Sequence, residues 1–94
     1  MHRYAIVATS GYRRAYKRIS KHKNFKQESL NRAINTLASG EKLEKKCQDH
    51  ELSGKLKGFR ECHIQNDILL VYKIQEEVLV LVLVNLGSHS SLFG

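Results

Sequence analysis

The fold of this chain is decided by residues 59–86, which read FRECHIQNDILLVYKIQEEVLVLVLVNL. Aliphatic and β-branched side chains dominate the segment, and polar residues interrupt it twice. This pattern predicts three successive strands, namely Phe59–Ile64, Ile68–Ile74 and Val78–Leu86, with the last two joined through Gln75 and Glu76. The second and third strands do not alternate with polar residues, which indicates that both faces of the sheet are covered.

Two helices precede these strands. Residues 3–9 predict an opening strand, and Tyr12, Ala15, Tyr16 and Ile19 recur at helical spacing, which predicts an amphipathic helix over 11–22 with Ser10 as its cap. A second helix is predicted from about Gln27 to Ser39, with Gly40 as its stop and a polar loop over 41–49. Its predicted buried residues are Leu30, Ala33, Ile34 and Leu37.

The predicted order is therefore β-α-α-β-β-β, in one domain spanning residues 1–94. We expect an α+β fold in which a small, mainly antiparallel sheet carries two helices on one face. Because two helices cover only one face, either loops and the C-terminal tail cover the other face or a partner protein does.

Positive charge is concentrated in the first half of the chain. The net charge is +7, and residues 1–47 hold 12 basic and 3 acidic side chains, against 4 and 6 in residues 48–94. Such an excess favours nucleic acid as a partner, and the candidate contacts on the first helix are Arg13, Arg14, Lys17, Arg18 and Lys21.

A membrane is not an expected partner. The longest wholly apolar run is Val78–Val84, far short of the ~20 residues that span a bilayer. The N-terminus lacks the hydrophobic segment of a signal peptide. We therefore expect a cytoplasmic protein.

Two cysteines, Cys47 and Cys62, form no recognisable disulfide framework. A zinc site could be drawn from them with His50 and His63, but Cys62 and His63 are adjacent, and neighbours on a strand point to opposite faces. Burial as small apolar side chains is the favoured interpretation, and no metal or other cofactor is predicted.

Histidines are the most distinctive polar residues. His89 lies in the ending GSHSSLFG (87–94), directly after the last predicted strand, and His50 and His63 lie upstream. In a small basic protein, three well-separated histidines suggest RNA chemistry.

Residues 48–74, QDHELSGKLKGFRECHIQNDILLVYKI, followed by that ending, resemble the YafQ-like branch of the RelE superfamily of bacterial toxins. The first half of the chain resembles this family only in its layout of a strand and two basic helices. The resemblance implies a sheet like that of microbial ribonucleases with two helices. It also implies a type II toxin that cleaves translated messenger RNA in the ribosomal A site and is neutralised by a cognate antitoxin. The family's active positions fall on His50, His63, Asp67, His89 and Phe93.

These residue types suit RNA cleavage without a metal, which needs a base for the ribose 2′-hydroxyl, an acid for the leaving 5′-oxygen and donors for the phosphate. An imidazole can fill either of the first two roles near neutral pH. We predict His89 as the acid, His50 alone or with Asp67 as the base, and His63 as a contact to the scissile phosphate.

Further RNA contacts are predicted around these positions. Phe93 either stacks on an unpaired base or is buried against the sheet. Arg60 points away from His63 on a regular strand, so Lys55 and Lys57 in the preceding loop are equal candidates for the phosphate.

The turn after His63 decides where Asp67 lies. A two-residue turn at Gln65 and Asn66 would place His63 and Asp67 on opposite faces, whereas a three-residue turn with a left-handed Asn66 would place them opposite each other. A catalytic role predicts the second arrangement, or an Asp67 that leaves the strand ladder.

Two other functions are compatible with the sequence. One is a noncatalytic module that binds ribosomes or RNA. The other is an interaction domain that holds an antitoxin and, through that complex, operator DNA. If the protein is a nuclease, we expect weak activity on naked RNA, because so small a chain offers little surface to orient a substrate.

Overall fold

A five-stranded sheet carries the helices of this protein, in a computed structural model that describes residues 2–93. The elements are β1 (Ala5–Ala8), α1 (Ser10–Ile19), α2 (Gln27–Ala38), β2 (His50–Glu51), β3 (Arg60–Gln65), β4 (Ile68–Gln75), β5 (Val80–Gly87) and α3 (His89–Phe93). Single 3₁₀ turns lie at Lys45–Cys47 and Gly54–Leu56. The predicted α+β class is confirmed.

The strands follow the order β1-β5-β4-β3-β2. Strands β2 to β5 pair antiparallel with their neighbours, and β1 pairs parallel with β5 at one edge. A parallel pair needs a long crossover, which α1, α2 and the chain up to β5 supply. The first strand of the chain therefore ends up beside the last one.

One face of the sheet carries α1 and α2, and we call it the helix face. Helix α1 buries Tyr12, Ala15 and Ile19 there, as the spacing predicts. Helix α2 buries its apolar stripe at the same core, with Ile34 partly buried. The strands contribute Cys62, Leu70, Tyr72, Leu81, Leu83 and Leu86.

The opposite face, which we call the site face, is read from the strand register. Residues directly opposite each other on paired strands share a face. His50 pairs with Glu61, and Glu61 with Val71. Two residues further along β3, His63 pairs with Leu69, which in turn pairs with Gly87 of β5. Two of the three predicted catalytic histidines, His50 and His63, thus lie on the face opposite α1 and α2.

The start of α1 differs from the prediction by one residue. Thr9, and not Ser10, is the N-cap, and its hydroxyl accepts a hydrogen bond from the Tyr12 amide at 3.0 Å. The same hydroxyl donates to the Val84 carbonyl at 2.7 Å. Thr9 therefore caps α1 and ties it to β5, a tertiary contact that the local sequence does not reveal.

Two short elements were not predicted. Strand β2 has two residues, too few for any periodicity, and it exists because it pairs with β3. Helix α3 starts in a serine-rich ending, where Ser88 and Ser91 cap it reciprocally: each amide donates to the other residue's hydroxyl, at 2.9 and 3.1 Å. This is a capping box in which a serine takes the usual place of Glu or Gln.

The connection between β4 and β5 is also longer than predicted. Strand β4 continues to Gln75, which pairs with Val80, so residues 76–79 form the turn. Val78 is consequently 63% exposed, and Leu79 has a positive φ of 54°. An apolar run alone does not show where a strand begins, because register with the neighbouring strand decides it.

Helix α3 covers part of the site face, close to Gly87. Val80, Val82 and Val84 of β5 are only partly buried. The C-terminal tail thus covers one end of this face, in line with one of the two arrangements predicted. None of the helices within residues 2–93 is long and apolar enough to cross a membrane.

Candidate active site

His50 makes the most closely defined contacts of the predicted catalytic residues. Its Nδ1 lies 2.8 Å from the Gln48 carbonyl oxygen, and its Nε2 lies 3.2 Å from Glu61 Oε1. The His50 side chain remains 53% exposed. One edge of the ring is therefore held by protein oxygens while the rest faces solvent.

Glu61 is a site residue that sequence reasoning missed. It is only 3% exposed, the sole polar or charged residue among the buried residues of the described chain. Its Oε2 has no hydrogen-bond partner within residues 2–93. A signal was available, because an acid two positions before His63 on a strand must share its face.

Asp67 and His89 come together where two turns meet. Residues 66 and 67 form the β3–β4 turn, Asn66 has a positive φ of 20°, and the ladder shifts between His63 and Gln65. Both predicted registers are wrong, because Gln65 pairs with Ile68. Asp67 instead leaves the ladder, the third arrangement considered, and its carboxylate lies 3.4 Å from the His89 amide nitrogen.

Helix α3 places His89 and Phe93 side by side. Their ring centroids are 5.4 Å apart and tilted by 60°, and Phe93 is 38% exposed. The helix lies so close to β5 that a Cβ on Gly87 would approach Ser91 Oγ to 2.5 Å. Phe93 is thus not a core residue, and its exposed ring is free to stack.

Register brings the predicted catalytic residues to one end of the site face. His63, Leu69 and Gly87 form one row across the sheet. Asp67 precedes Leu69 by two residues, and His89 follows Gly87 by two. His50 belongs to the adjoining row through Glu61. His63 also lines a cavity of about 300 Å³ with Arg32 of α2, whereas Asp67 lines a separate cavity of about 370 Å³. The strand register is therefore what relates His50 and His63 to Asp67 and His89.

Arg60 does not belong to this region. Within β3, which is regular from Arg60 to His63, it pairs with Tyr72 and therefore lies on the helix face. Its guanidinium donates to both carboxylate oxygens of Asp49 at 3.3 Å, and the Tyr72 hydroxyl donates to the same carboxylate. The prediction of Arg60 as an RNA contact is not supported, because Asp49 already engages its charge.

The other predicted RNA contacts divide between two surfaces. Lys55 and Lys57 are exposed in the β2–β3 loop, which begins directly after His50 and Glu51. The five basic residues of the first predicted helix are exposed too, but α1 covers the helix face, so its outer side points away from the histidines. Arg18 is the exception, since it borders a cavity of about 370 Å³ whose other wall includes Asp67 and Ser88.

The zinc site drawn from Cys47, His50, Cys62 and His63 is not assembled among the residues that the structure describes. No three His, Cys, Asp or Glu side chains of the described residues lie close enough to bind a metal ion. Cys62 is fully buried on the helix face, and burial, followed by nearby Asp49, raises the pKa of its thiol. A metal-binding thiolate is therefore disfavoured at Cys62, and both His50 nitrogens already contact oxygens.

This sheet order, with α1 and α2 on one face, defines a small α+β protein of RelE-like fold. The family model described as bacterial toxin of type II toxin-antitoxin system, YafQ, matches residues 4–94. The chain belongs to this family of YafQ toxins.

Solved structures of similar proteins align over almost the whole chain. A metal-bound toxin from Helicobacter pylori is 40% identical, with a TM-score of 0.88 over 96% of this chain and 99% of that one. The E. coli DinJ-YafQ toxin-antitoxin complex gives 27% identity and a TM-score of 0.86, over 98% and 99%. The predicted fold family is therefore confirmed.

The curated relatives align over less of their length. The mRNA interferase toxin YafQ of E. coli K12 is 38% identical over 47 residues, which are 50% of this chain and 49% of that protein. The chain thus spans about half the length of this relative.

Proposed function

We propose that this protein is an endoribonuclease that cleaves messenger RNA and so inhibits translation. The observation that carries the proposal is the register that puts His50 and His63 on the face opposite α1 and α2, with Asp67 beside the His89 amide at the end of that face. The E. coli relative bears the name mRNA interferase, which is consistent with this chemistry.

The proposed reaction needs no group beyond these side chains. The ribose 2′-oxygen attacks the adjacent phosphorus while a neutral imidazole takes the 2′-hydroxyl proton, and the bond from phosphorus to the 5′-oxygen breaks. A protonated imidazole donates its proton to that leaving oxygen. The products are a 2′,3′-cyclic phosphate and a 5′-hydroxyl, and the two histidines exchange protonation states.

We assign the acid role to His89. Its ring is exposed on α3, and its backbone amide lies 3.4 Å from the Asp67 carboxylate. The base role is better supported for His63 than for His50, the residue expected from the sequence. Both His50 nitrogens already contact protein oxygens, so we assign His50 a contact to the phosphate.

The charge distribution supports action on the ribosome. Lys55 and Lys57 lie on the loop next to His50 and are placed to hold the message backbone. Apart from Arg18, which borders the Asp67 cavity, the basic side chains of α1 lie on its outer side, so we propose that they contact ribosomal RNA while the site face meets the message in the A site. Orientation by the ribosome would then explain weak activity on naked RNA.

We further propose that a cognate antitoxin neutralises the protein in the cytoplasm, and that the complex contacts operator DNA. One of the similar E. coli structures is a toxin-antitoxin complex, of DinJ with YafQ. In this chain the exposed apolar side chains Val7, Val78 and Leu79 beside the partly buried β5 valines provide surface for a partner.

The test is primer-extension mapping of a reporter message in a purified translation system. Ribosome-dependent cuts are expected with the intact protein, and His89→Ala should reduce their rate roughly 100-fold or more. His2→Ala, which alters an exposed histidine outside the site, should cleave normally. The same message without ribosomes should be cut only weakly.

A noncatalytic binding module is the outcome that would refute this proposal. In that case wild-type protein would bind ribosomes and leave the message uncut, and His89→Ala would bind equally well. Equal cleavage by wild type and His89→Ala would retain the nuclease but remove His89 as its acid.

A further inference from the structure

We propose that the cavity between the end of α1 and the start of α3 binds one unstacked base of the message, that of the first nucleotide after the cut. The cavity has a volume of about 370 Å³, and we call it the base cavity. The inference rests on the proposed function and deepens it, because it gives the site a part that reads the sequence of its substrate.

The base cavity has an apolar part that suits a flat ring. Its lining includes Ile19, Phe25 and Ile68, which belong to the core or pack against it. Phe25 makes an edge-on contact with Tyr16, and the two ring centroids lie 6.2 Å apart. Single-stranded RNA is recognised mainly through splayed-out bases that rest on aromatic and apolar side chains. These three side chains therefore offer a base a surface in place of its neighbours in the strand.

Charges on the walls of the cavity define the class of ligand. Arg18 of α1 and Asp67 of the β3–β4 turn both line the base cavity, yet they form no ion pair with each other within residues 2–93. A phosphate inside the cavity would meet the carboxylate of Asp67, and a cation would meet the guanidinium of Arg18. A nucleobase is neutral and carries donors and acceptors on its edge, so it fits between opposite charges better than either ion.

Gln65 keeps one wall of the cavity in place. Its Oε1 accepts a hydrogen bond from the Lys26 amide at 2.7 Å, and its Nε2 donates to the Asn24 carbonyl at 2.8 Å. These bonds fasten the connection between α1 and α2 to the end of β3, so the cavity is formed before a ligand arrives. Asn24 lines the cavity, and its side-chain amide forms no hydrogen bond within the described residues. That amide thus offers a donor and an acceptor to the edge of a base.

The position of the base cavity relates it to the nucleotide after the cut. Asp67 lines the cavity and lies 3.4 Å from the His89 amide nitrogen. Ser88 and Ser91, which cap α3 on either side of His89, line the cavity as well. In the proposed reaction His89 protonates the leaving 5′-oxygen, which belongs to the nucleotide after the cut. The base of that nucleotide is therefore the one that the cavity receives.

The first test measures discrimination between bases. Four messages that differ only in the first nucleotide after the mapped cut are cleaved in the purified translation system. Wild type should cleave them at different rates, and Asn24→Ala or Arg18→Gln should reduce the ratio of the fastest rate to the slowest roughly 5-fold or more. Asn35→Ala removes an exposed asparagine of α2 outside the cavity and should keep the wild-type ratio. Partial unfolding lowers all four rates equally, so it leaves the ratio unchanged.

The second test measures binding without cleavage. A short RNA whose riboses carry 2′-O-methyl groups cannot form the 2′,3′-cyclic phosphate, so it stays uncut. When it is added to the ribosome-free protein, NMR signals of the Phe25 ring and of the Asn24 side-chain amide should shift. The same RNA without the base after the cleavage position keeps every phosphate and should leave those signals in place.

The inference is wrong if the variants keep the wild-type ratio, if the wild type has no preference, or if the RNA lacking that base shifts the same signals equally. It is also wrong if Asn24→Ala weakens only neutralisation by the purified antitoxin, because the cavity would then bind a protein segment. A wild type that cuts no message would instead refute the proposed function. The NMR comparison would still decide on the base cavity, because it needs no cleavage.

Discussion

Tyr72 shows how one residue links the core to the edge of the site. Its ring is fully buried on the helix face, and its hydroxyl donates to Asp49, which also holds Arg60. Asp49 directly precedes His50. The Arg60–Asp49–Tyr72 network therefore anchors the segment from which β2 begins, and the positive charge of Arg60 serves structure here.

Alkaline stability tests this arrangement. Burial, and then the hydrogen bond to Asp49, raises the pKa of Tyr72 above its usual value. The unfolded chain then loses the tyrosine proton first, so this contribution to stability is present below pH ~10 and is lost as pH rises further. We expect the free energy of unfolding in urea to fall above that pH, by up to about 1.4 kcal/mol per pH unit for each such group.

Tyr72→Phe should make the free energy of unfolding fall less steeply with pH in the alkaline range. At pH 7 it should lower that free energy by about 1 kcal/mol, because the hydrogen bond to Asp49 is lost. Tyr12→Phe is the matched comparison, because burial and nearby Tyr16 raise the pKa of Tyr12 to about 12. It should also make the free energy of unfolding fall less steeply. If the free energy of unfolding of both variants falls with pH as steeply as that of the wild type, the alkaline loss of stability does not come from these two tyrosines.

At the scale of elements, α3 is the part of the fold on which the site depends most. It has only five residues, too few to be stable alone. Its reciprocal serine caps and its close approach to Gly87 hold it in place. His89 and Phe93 owe their positions to these contacts.

Gly87→Ala should therefore displace α3. The added Cβ would meet Ser91 Oγ at 2.5 Å and Leu92 Cγ at 3.4 Å. We expect cleavage to fall roughly 10-fold or more, while circular dichroism and thermal unfolding show a folded protein.

The matched control is Gly11→Ala in α1. There the nearest contact of the new Cβ is an ordinary 3.7 Å to the Val84 carbonyl oxygen, and alanine should stabilise the helix by up to about 1 kcal/mol. This variant should cleave normally. Normal cleavage by Gly87→Ala would show that the placement of α3 does not govern the site.

For the whole molecule, most of the positive charge lies on the side of the sheet that carries α1 and α2. The histidines of β2 and β3 lie on the other face by register, and Arg18 and Arg32 border the cavities that Asp67 and His63 line. A protein built this way can contact polyanions on both sides at once. This arrangement is consistent with the proposed contacts to ribosomal RNA and a message.

Salt dependence of ribosome binding tests this separation. Replacing Arg13 and Lys17 with Gln removes two exposed charges from one side of α1, and each lost phosphate contact should lower the slope of log affinity against log salt by roughly 0.7 to 0.9. Arg13→Gln alone can be compared with Arg3→Gln, because Arg3 is an exposed charge beside Glu76 at the other edge of the molecule and its loss should affect the slope little. Equal effects of these two single variants would indicate nonspecific attraction.

The sequence by itself determined the α+β class, the central strands, both long helices and their buried stripes. It also revealed the three candidate catalytic histidines, His50, His63 and His89, and the concentration of positive charge in the first half of the chain. These features are local: helical and strand periodicity follow from backbone geometry, so the spacing of Tyr12, Ala15 and Ile19 is enough to predict a buried face.

Only the tertiary structure decided how the site is assembled. The shift after His63 moved Asp67 out of the ladder toward His89, and pairing of β2 with β3 joined His50 to Glu61. The same register turned Arg60 toward Asp49. Strand register, bulges and two-residue strands depend on packing between segments distant in sequence, and local patterns do not encode that packing.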